Sequence, residues 1–294
     1  MAGDVVIKGL MEGVDLLVAV AFVPSVAQEA RRRHQLRPVS AALLAQAFAS
    51  AGVLSALQKG TGRVNLQLEC DGALRGLFVD AGVDGTMRGY VKNTLVEIEL
   101  GAAFRWRGAL GNKGSLSVLR DIGHEYYRSS VELTAFDLAR DLDRYFELSD
   151  QVKTAVALSQ AARGEEPLGA VAGVLVQALP SGDVAALEAL ARTLQASLDT
   201  ALADPTITDG EALFTRLFPG LVVTERTAAR FFCPCSKERT LEVLASLGRA
   251  EVQDIIDTTA STSVTCRFCA TKHEITLVDL FGLLERLGAA PLKS

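Results

Sequence analysis

Four of the chain's five cysteines fall within a 37-residue window. They stand as Cys233-x-Cys235 and, thirty residues further on, Cys266-x-x-Cys269. Two thiol pairs separated by a loop of this length suit a tetrahedral all-cysteine zinc site, one Zn2+ per chain. The C-x-x-C spacing lets two sulfurs reach one ion from a tight knuckle, here filled by Arg267 and Phe268 between a strand-like "STSVTC" and a polar "ATKHEI". C-x-C is the rarer spacing, because one intervening residue leaves little chain to wrap a metal. Pro234 fixes its own φ near about −65° and brings no N–H, so this pair sits in a preset geometry. The same spacings allow a second chemistry. Once metal leaves, the C-x-C sulfurs can bond to each other in a tight ring, and C-x-x-C is a familiar redox spacing. Structural zinc and an oxidant-sensing site therefore both stand open. Cys70, alone in "LQLECDGALRG", reads as a small buried hydrophobe.

The rest of the composition narrows the partners. A formal net charge of −5 argues against a general nucleic-acid binder and equally against an anionic membrane surface. The apolar run Val14 to Val23 is about half the length a membrane-crossing helix needs, and it reads as a buried strand or strand pair. Asp4 and Glu12 precede it with only Lys8 to oppose them, and Asp15 interrupts it. That is a poor signal peptide. The expected compartment is the reducing cytoplasm, where clustered cysteines mean metal or redox chemistry before structural disulfides.

Three textures follow one another along the chain. Residues 1–178 mix β-type alternation (the N-terminal run, Gly62 to Val91, "GSLSVLRDIG", "SSVELTAF", Gly169 to Pro180) with helical stretches. The latter are the Ala/Leu-rich Ser40 to Gln58, which reads as a well-buried helix, and Asp137 to Leu148. This order predicts an α+β fold, an antiparallel-rich sheet domain with packed helices. Residues 179–230 are rich in Ala, Leu, Thr and Asp and broken at Pro205 and Pro219; they predict short helices with narrow apolar faces, a linker of low stability. Residues 231–294 form a small four-cysteine zinc domain. Ser236 is its expected N-cap, Gly248 a helix stop, and Ile275 to Gly288 a final amphipathic helix.

The pattern "FFCPCSKERTLEVLASLG…CRFC" resembles the C-terminal redox switch of the heat shock protein 33 family, cytosolic holdase chaperones activated by oxidation. "GRVNLQLECDGALRGLFVDAGVDGTMRGYV", "GNKGSLSVLRDIGHEYYRSSVEL" and "DLARDLDRYFELSDQ" resemble that family's core segments, so the likeness spans nearly the whole chain. Three residues depart from it: Cys70, where no cysteine is required; Pro234, an unusual middle residue; and His273, where an aromatic often follows the knuckle. None removes a ligand. The resemblance implies Cys233, Cys235, Cys266 and Cys269 as zinc ligands in the reduced state. It implies disulfides joining Cys266 to Cys269 and then Cys233 to Cys235 on oxidation. It further implies unfolded client proteins as partners, and a reduced monomer that becomes an oxidised homodimer.

Two other classes compete. A zinc-ribbon nucleic-acid module is disfavoured by five basic against six acidic residues from Phe231 to Thr276 and by the C-x-C spacing. A catalytic zinc needs an open position that four cysteines would close, which leaves a thiol oxidoreductase as the enzymatic alternative. His34, His124 and His273 show no metal spacing; they read as surface or hydrogen-bonding residues, with His273 near enough to the knuckle to neighbour the metal. No Walker-type phosphate loop occurs, in keeping with an ATP-independent, non-enzymatic activity. The basic run Glu29 to Pro38 reads as a solvated helix face, and "MRGY" around Arg88 as part of an exposed sheet face.

Overall fold

The computed structural model describes residues 3–97, 106–121, 125–258 and 261–289. His124 and the end of "GSLSVLRDIG" lie outside them. The chain forms two compact units, Met1–Phe232 and Cys233–Ser294.

The larger unit opens with a hairpin of β1 (Val5–Met11) and β2 (Leu16–Phe22), followed by α1 (Pro24–His34) and α2 (Pro38–Ala56). Then come β3 (Arg63–Cys70), β4 (Gly76–Gly82), β5 (Thr86–Val91), the short α3 (Arg107–Leu110), β6 (Gly114–Asp121) and β7 (Tyr126–Glu132). Helix α4 (Leu138–Tyr145) ends in a π-turn over Phe146–Asp150, and the long hairpin β8 (Thr154–Arg163) and β9 (Glu166–Ala178) follows it. The unit closes with α5 (Val184–Ala203), α6 (Gly210–Leu217), β10 (Val222–Ala228) and β11 (Arg230–Phe231). One sheet has the order β10-β1-β2-β9-β8, all antiparallel. The other runs β11-β5-β4-β3-β6-β7 and is antiparallel except where β11 joins β5. The α+β, antiparallel-rich expectation therefore describes the fold.

Helix α2 explains why the two sheets stay together. Apolar residues circle it completely, so no face of it suits water. Every residue from Val39 to Ser55 is buried between β2 and β9 on one side and β3, β4 and β5 on the other. By length and composition α2 could cross a bilayer, but 94% of its most apolar window is buried inside this fold. Gly52 permits the close approach, since a Cβ there would lie 2.8 Å from Ala21 Cβ. The opposite face of the first sheet is also apolar. Leu16, Val18, Val20, Val174 and Val176 meet Leu187, Leu194, Leu198 and Leu202 of α5 and Leu213 and Phe214 of α6.

The segment expected to form short helices departs from that reading twice. Helix α5 is a single 20-residue element started by the Asp183 carboxylate, which accepts the Ala186 N–H. Val222–Ala228 is a strand and not a helix, pairing with β1 and leaving most side chains exposed. Past it, Arg230 N–H donates to Gly85 O and Phe232 N–H to Met87 O, both at 2.9 Å. Gly85 has φ +78° and sits so close to this strand that a Cβ would meet Ala228 O at 2.0 Å, so no other residue fits. Phe231 packs edge-on to Phe48 of α2, with the Arg33 guanidinium 5.3 Å from its ring centroid. The basic run of α1 thus keeps Arg32 solvated beside Glu29 and sends Arg33 to an aromatic face. Arg88 is likewise engaged, paired at 2.8 Å with the buried Asp80, which also holds Arg63 at 2.7 Å.

The smaller unit contains α7 (Lys237–Ala245), α8 (Arg249–Thr258), the hairpin β12 (Ser261–Thr265) and β13 (Lys272–Thr276), and α9 (Leu277–Ala289). Its core is six buried residues, Leu244, Val252, Ile275, Leu280, Leu283 and Leu284. The final helix begins two residues later than expected. Ile275 and Thr276 belong to β13, and the Asp279 carboxylate accepts the Thr276 N–H at 2.7 Å.

Candidate metal centre

Each cysteine pair is fixed by its own local structure. The first precedes α7, whose N-cap is Ser236: its hydroxyl accepts the Arg239 N–H at 3.2 Å. Arg239 reaches back and donates from Nη1 to Pro234 O at 2.9 Å. The proline carbonyl between the two thiols is thereby tied to the first turn of the helix. The second pair caps the β12–β13 hairpin. Cys266 N–H donates to Thr271 O (2.9 Å) and Ala270 N–H to Cys266 O (2.8 Å), with Ala270 at φ +56°. Inside this knuckle the N–H groups of Phe268 and Cys269 point at the Cys266 sulfur.

The four sulfurs converge. All lie within 4.8 Å of one another, three half-buried and Cys269 buried, and the cysteines are free thiols. Cys233 Sγ is 3.7 Å from Cys266 Sγ, and Cys235 Sγ is 3.3 Å from Cys269 Sγ, so these approaches join one pair to the other. A tetrahedral shell with metal–sulfur bonds of about 2.3 Å places its sulfurs about 3.8 Å apart. The donor set and its spacing therefore fit a metal ion, and all four sequence-assigned residues are brought together.

Two further groups stand around the cluster. Thr271 Oγ1 lies 3.2 Å from Cys269 Sγ, and His273 Nε2 lies 3.4 Å from Cys235 Sγ. His273 stands where its closeness to the knuckle in sequence suggested, on β13 directly after it and paired with Val264; Thr271 had no such signal.

Electrostatics separates the thiols. Burial, reinforced by the neighbouring sulfurs of Cys269 and Cys233, pushes Cys235 well above the ordinary thiol range. Burial also raises Cys266, outweighing the Phe268 and Cys269 N–H groups. For Cys269 burial is overcome by hydrogen bonding from Thr271 and the adjoining thiols, which brings it down to about 7. Cys269 is thus readier to ionise near neutral pH than Cys235 or Cys266, and the thiolate is the form that binds metals and reacts with oxidants. Cys70 is a different case. It ends β3 in the larger unit, half-buried against that unit's core, and burial raises its thiol.

The family model described as Hsp33 protein matches residues 4–276. The chain belongs to the Hsp33 family. It is 37% identical over 274 residues to the 33 kDa chaperonin of a Cyanothece species, covering 89% of this chain and 90% of that one. It is 30% identical over 286 residues to the 33 kDa chaperonin of Thermodesulfovibrio yellowstonii, covering 97% and 100%. The crystal structure of the Hsp33 homologue of Thermotoga maritima superposes with a TM-score of 0.78 at 24% identity, over 97% of this chain and 98% of that chain. That likeness concerns the fold. Family membership makes the chain a chaperone relative, and the Hsp33 family is not known for enzymatic activity.

Proposed function

We propose that the chain is a redox-regulated, ATP-independent holdase of the cytoplasm, and that Cys233, Cys235, Cys266 and Cys269 are its switch. The observation that carries this reading is the convergence of four sulfurs from two separate pairs in a unit whose core cluster, among the described residues, has six buried members. Zn2+ bound to the four thiolates supplies folding free energy to that unit, on the order of 10 kcal/mol by analogy with zinc-finger peptides.

Oxidation removes the ligands. Hydrogen peroxide takes two electrons from each thiol pair, leaving a disulfide and two waters. The pairs are Cys266 with Cys269 and Cys233 with Cys235, as the resemblance to the Hsp33 family implies. Residues 231–294 then lose their fold. The linker, residues 179–230, is the next to loosen, since β10 is an edge strand with mostly exposed side chains and α5 buries only one stripe of leucines. Release of α5 and α6 bares the apolar sheet face of Leu16, Val18, Val20, Val174 and Val176 in the client-binding core, residues 1–178. Unfolded or oxidatively damaged proteins bind that face, and the same surface accounts for dimerisation of the oxidised monomer. No bound nucleotide, nucleic acid, membrane or catalytic turnover enters the cycle.

The test treats the reduced, zinc-loaded protein with peroxide under mild heat, following zinc with a colorimetric chelator and client aggregation by light scattering. About one zinc per chain should appear as aggregation is suppressed. Zinc release without any protection of the client would rule the holdase out.

A further inference from the structure

Strand β8 is the outermost strand of its sheet, and its free edge is occupied in an unusual way. Ala178 N–H donates to Lys153 O just before β8 begins, which sets the phase of the β8–β9 ladder. Odd-numbered residues bond to β9, and the backbone groups of Val156, Leu158 and Gln160 face away from the sheet. The Val156 N–H is taken by the Asp143 carboxylate of α4 at 2.8 Å. Leu158 has both of its groups satisfied by one side chain of α5: Gln195 Nε2 donates to Leu158 O at 3.0 Å, and Gln195 Oε1 accepts the Leu158 N–H at 3.3 Å. These are the two bonds that a paired residue of a neighbouring antiparallel strand would make. Asp199, one turn on, fixes the amide by accepting from Gln195 Nε2 at 3.0 Å and from Ser159 Oγ at 2.5 Å.

Beside this contact lies a cavity of about 670 Å³ lined by Gln46, Trp106, Gln160, Gln195 and Asp199. Gln160 Oε1 is buried there without a hydrogen-bond partner among the described residues. Once Gln195 leaves it, such an edge is a template for any extended chain.

We propose that the outer edge of β8, from Leu158 to Arg163, is a docking site for an extended segment of unfolded polypeptide. In the resting state the Gln195 carboxamide occupies it in place of one peptide group of that segment. The occupant is polypeptide because the seated group is an amide that donates and accepts at once, and the groups it meets are backbone, so any sequence can take its place. The inference rests on the holdase reading above and adds to it. The bared sheet face supplies apolar area, and the edge supplies sequence-independent hydrogen bonds. Departure of α5 frees both together, since Gln195 and the leucine stripe lie on one helix.

The experiment uses the full chain oxidised with peroxide and reduced, carboxymethylated α-lactalbumin as a permanently unfolded probe. Hydrogen exchange is followed over residues 156–163 with and without probe. Strand addition predicts that the Leu158 and Gln160 amides slow about tenfold or more when probe binds. Probe that co-sediments with the protein while these amides exchange at the probe-free rate would overturn the docking site and leave the holdase reading standing. No probe binding at all would overturn both. Gln160→Pro, which removes an outward N–H at a position where an edge strand accepts proline, should raise the probe Kd about tenfold with zinc release unchanged; an unchanged Kd contradicts the proposal. Gln195→Ala should speed Leu158 exchange in the reduced protein, and an unaltered rate there would mean the amide is no guard.

Discussion

The two units reach folded structure by different means. In the larger one a 19-residue helix with every residue from Val39 to Ser55 buried is enclosed by two sheets, and hydrophobic burial alone accounts for its order. In the smaller one the core cluster, among the described residues, has six buried side chains, while Val243, Leu247, Val278 and Phe281 stay more than half exposed. A unit of about sixty residues is near the lower limit for a self-supporting core. On the proposed function, the four converging sulfurs supply the rest of its order through a bound metal. A fold held by burial responds to heat and denaturant; one held by ligated thiolates responds to oxidant and chelator as well. On the proposed function, joining the two in one chain gives a molecule with a part that can be released chemically while the rest persists.

The sharpest way to break this comparison is to remove one sulfur. Cys266→Ser should abolish stoichiometric metal binding and unfold the smaller unit, with on the order of 10 kcal/mol at stake. Cys70→Ser should retain the metal, as read by chelator assay and circular dichroism. Equal loss in both would mean that the ligand set is wrong. A smaller effect is expected from Leu198→Ala in α5, a fully buried residue whose truncation costs about 2–5 kcal/mol. Metal content should be unchanged, but α5 amides should exchange faster and client protection should need less peroxide.

The smallest effect concerns pH. Burial raises the Asp143 carboxyl to about 7 despite its bond from Val156 N–H. The folded protein holds this proton to higher pH than the unfolded chain does, so the stabilisation is full below pH 4 and is lost as pH rises through 7. The loss between pH 5 and 7 is about 2 kcal/mol. Asp143→Asn keeps an acceptor for Val156 and should flatten that slope in denaturant titrations, with the smaller unit unaffected.

What could be read from the sequence followed from how local the cause was. The clustering of the four cysteines, the Ser236 cap and the burial of α2 follow from short stretches, and each is found where spacing and composition put it. Strand β10 was not legible, because "VVTERTA" has neither helical period nor a clean alternation; it is a strand only because β1 offers it an edge. Helix α8 was missed for a related reason: Val252 is its one fully buried side chain, so it carries almost no apolar stripe. Asp143 and Gln195 were invisible as well. Their importance comes from lying opposite the free edge of β8, a juxtaposition made by strand order and not by neighbours in the chain.

The central claim is that the smaller unit is held by its thiolates and the larger one by its core. Hydrogen exchange along the whole chain, before and after peroxide has oxidised the four cysteines, tests it most directly. Protection should vanish across α7, α8 and α9, fall next in α5 and β10, and persist in α2 and in β3, β4 and β6. Retained protection from Cys233 to α9, with all four cysteines oxidised and the metal gone, would contradict it.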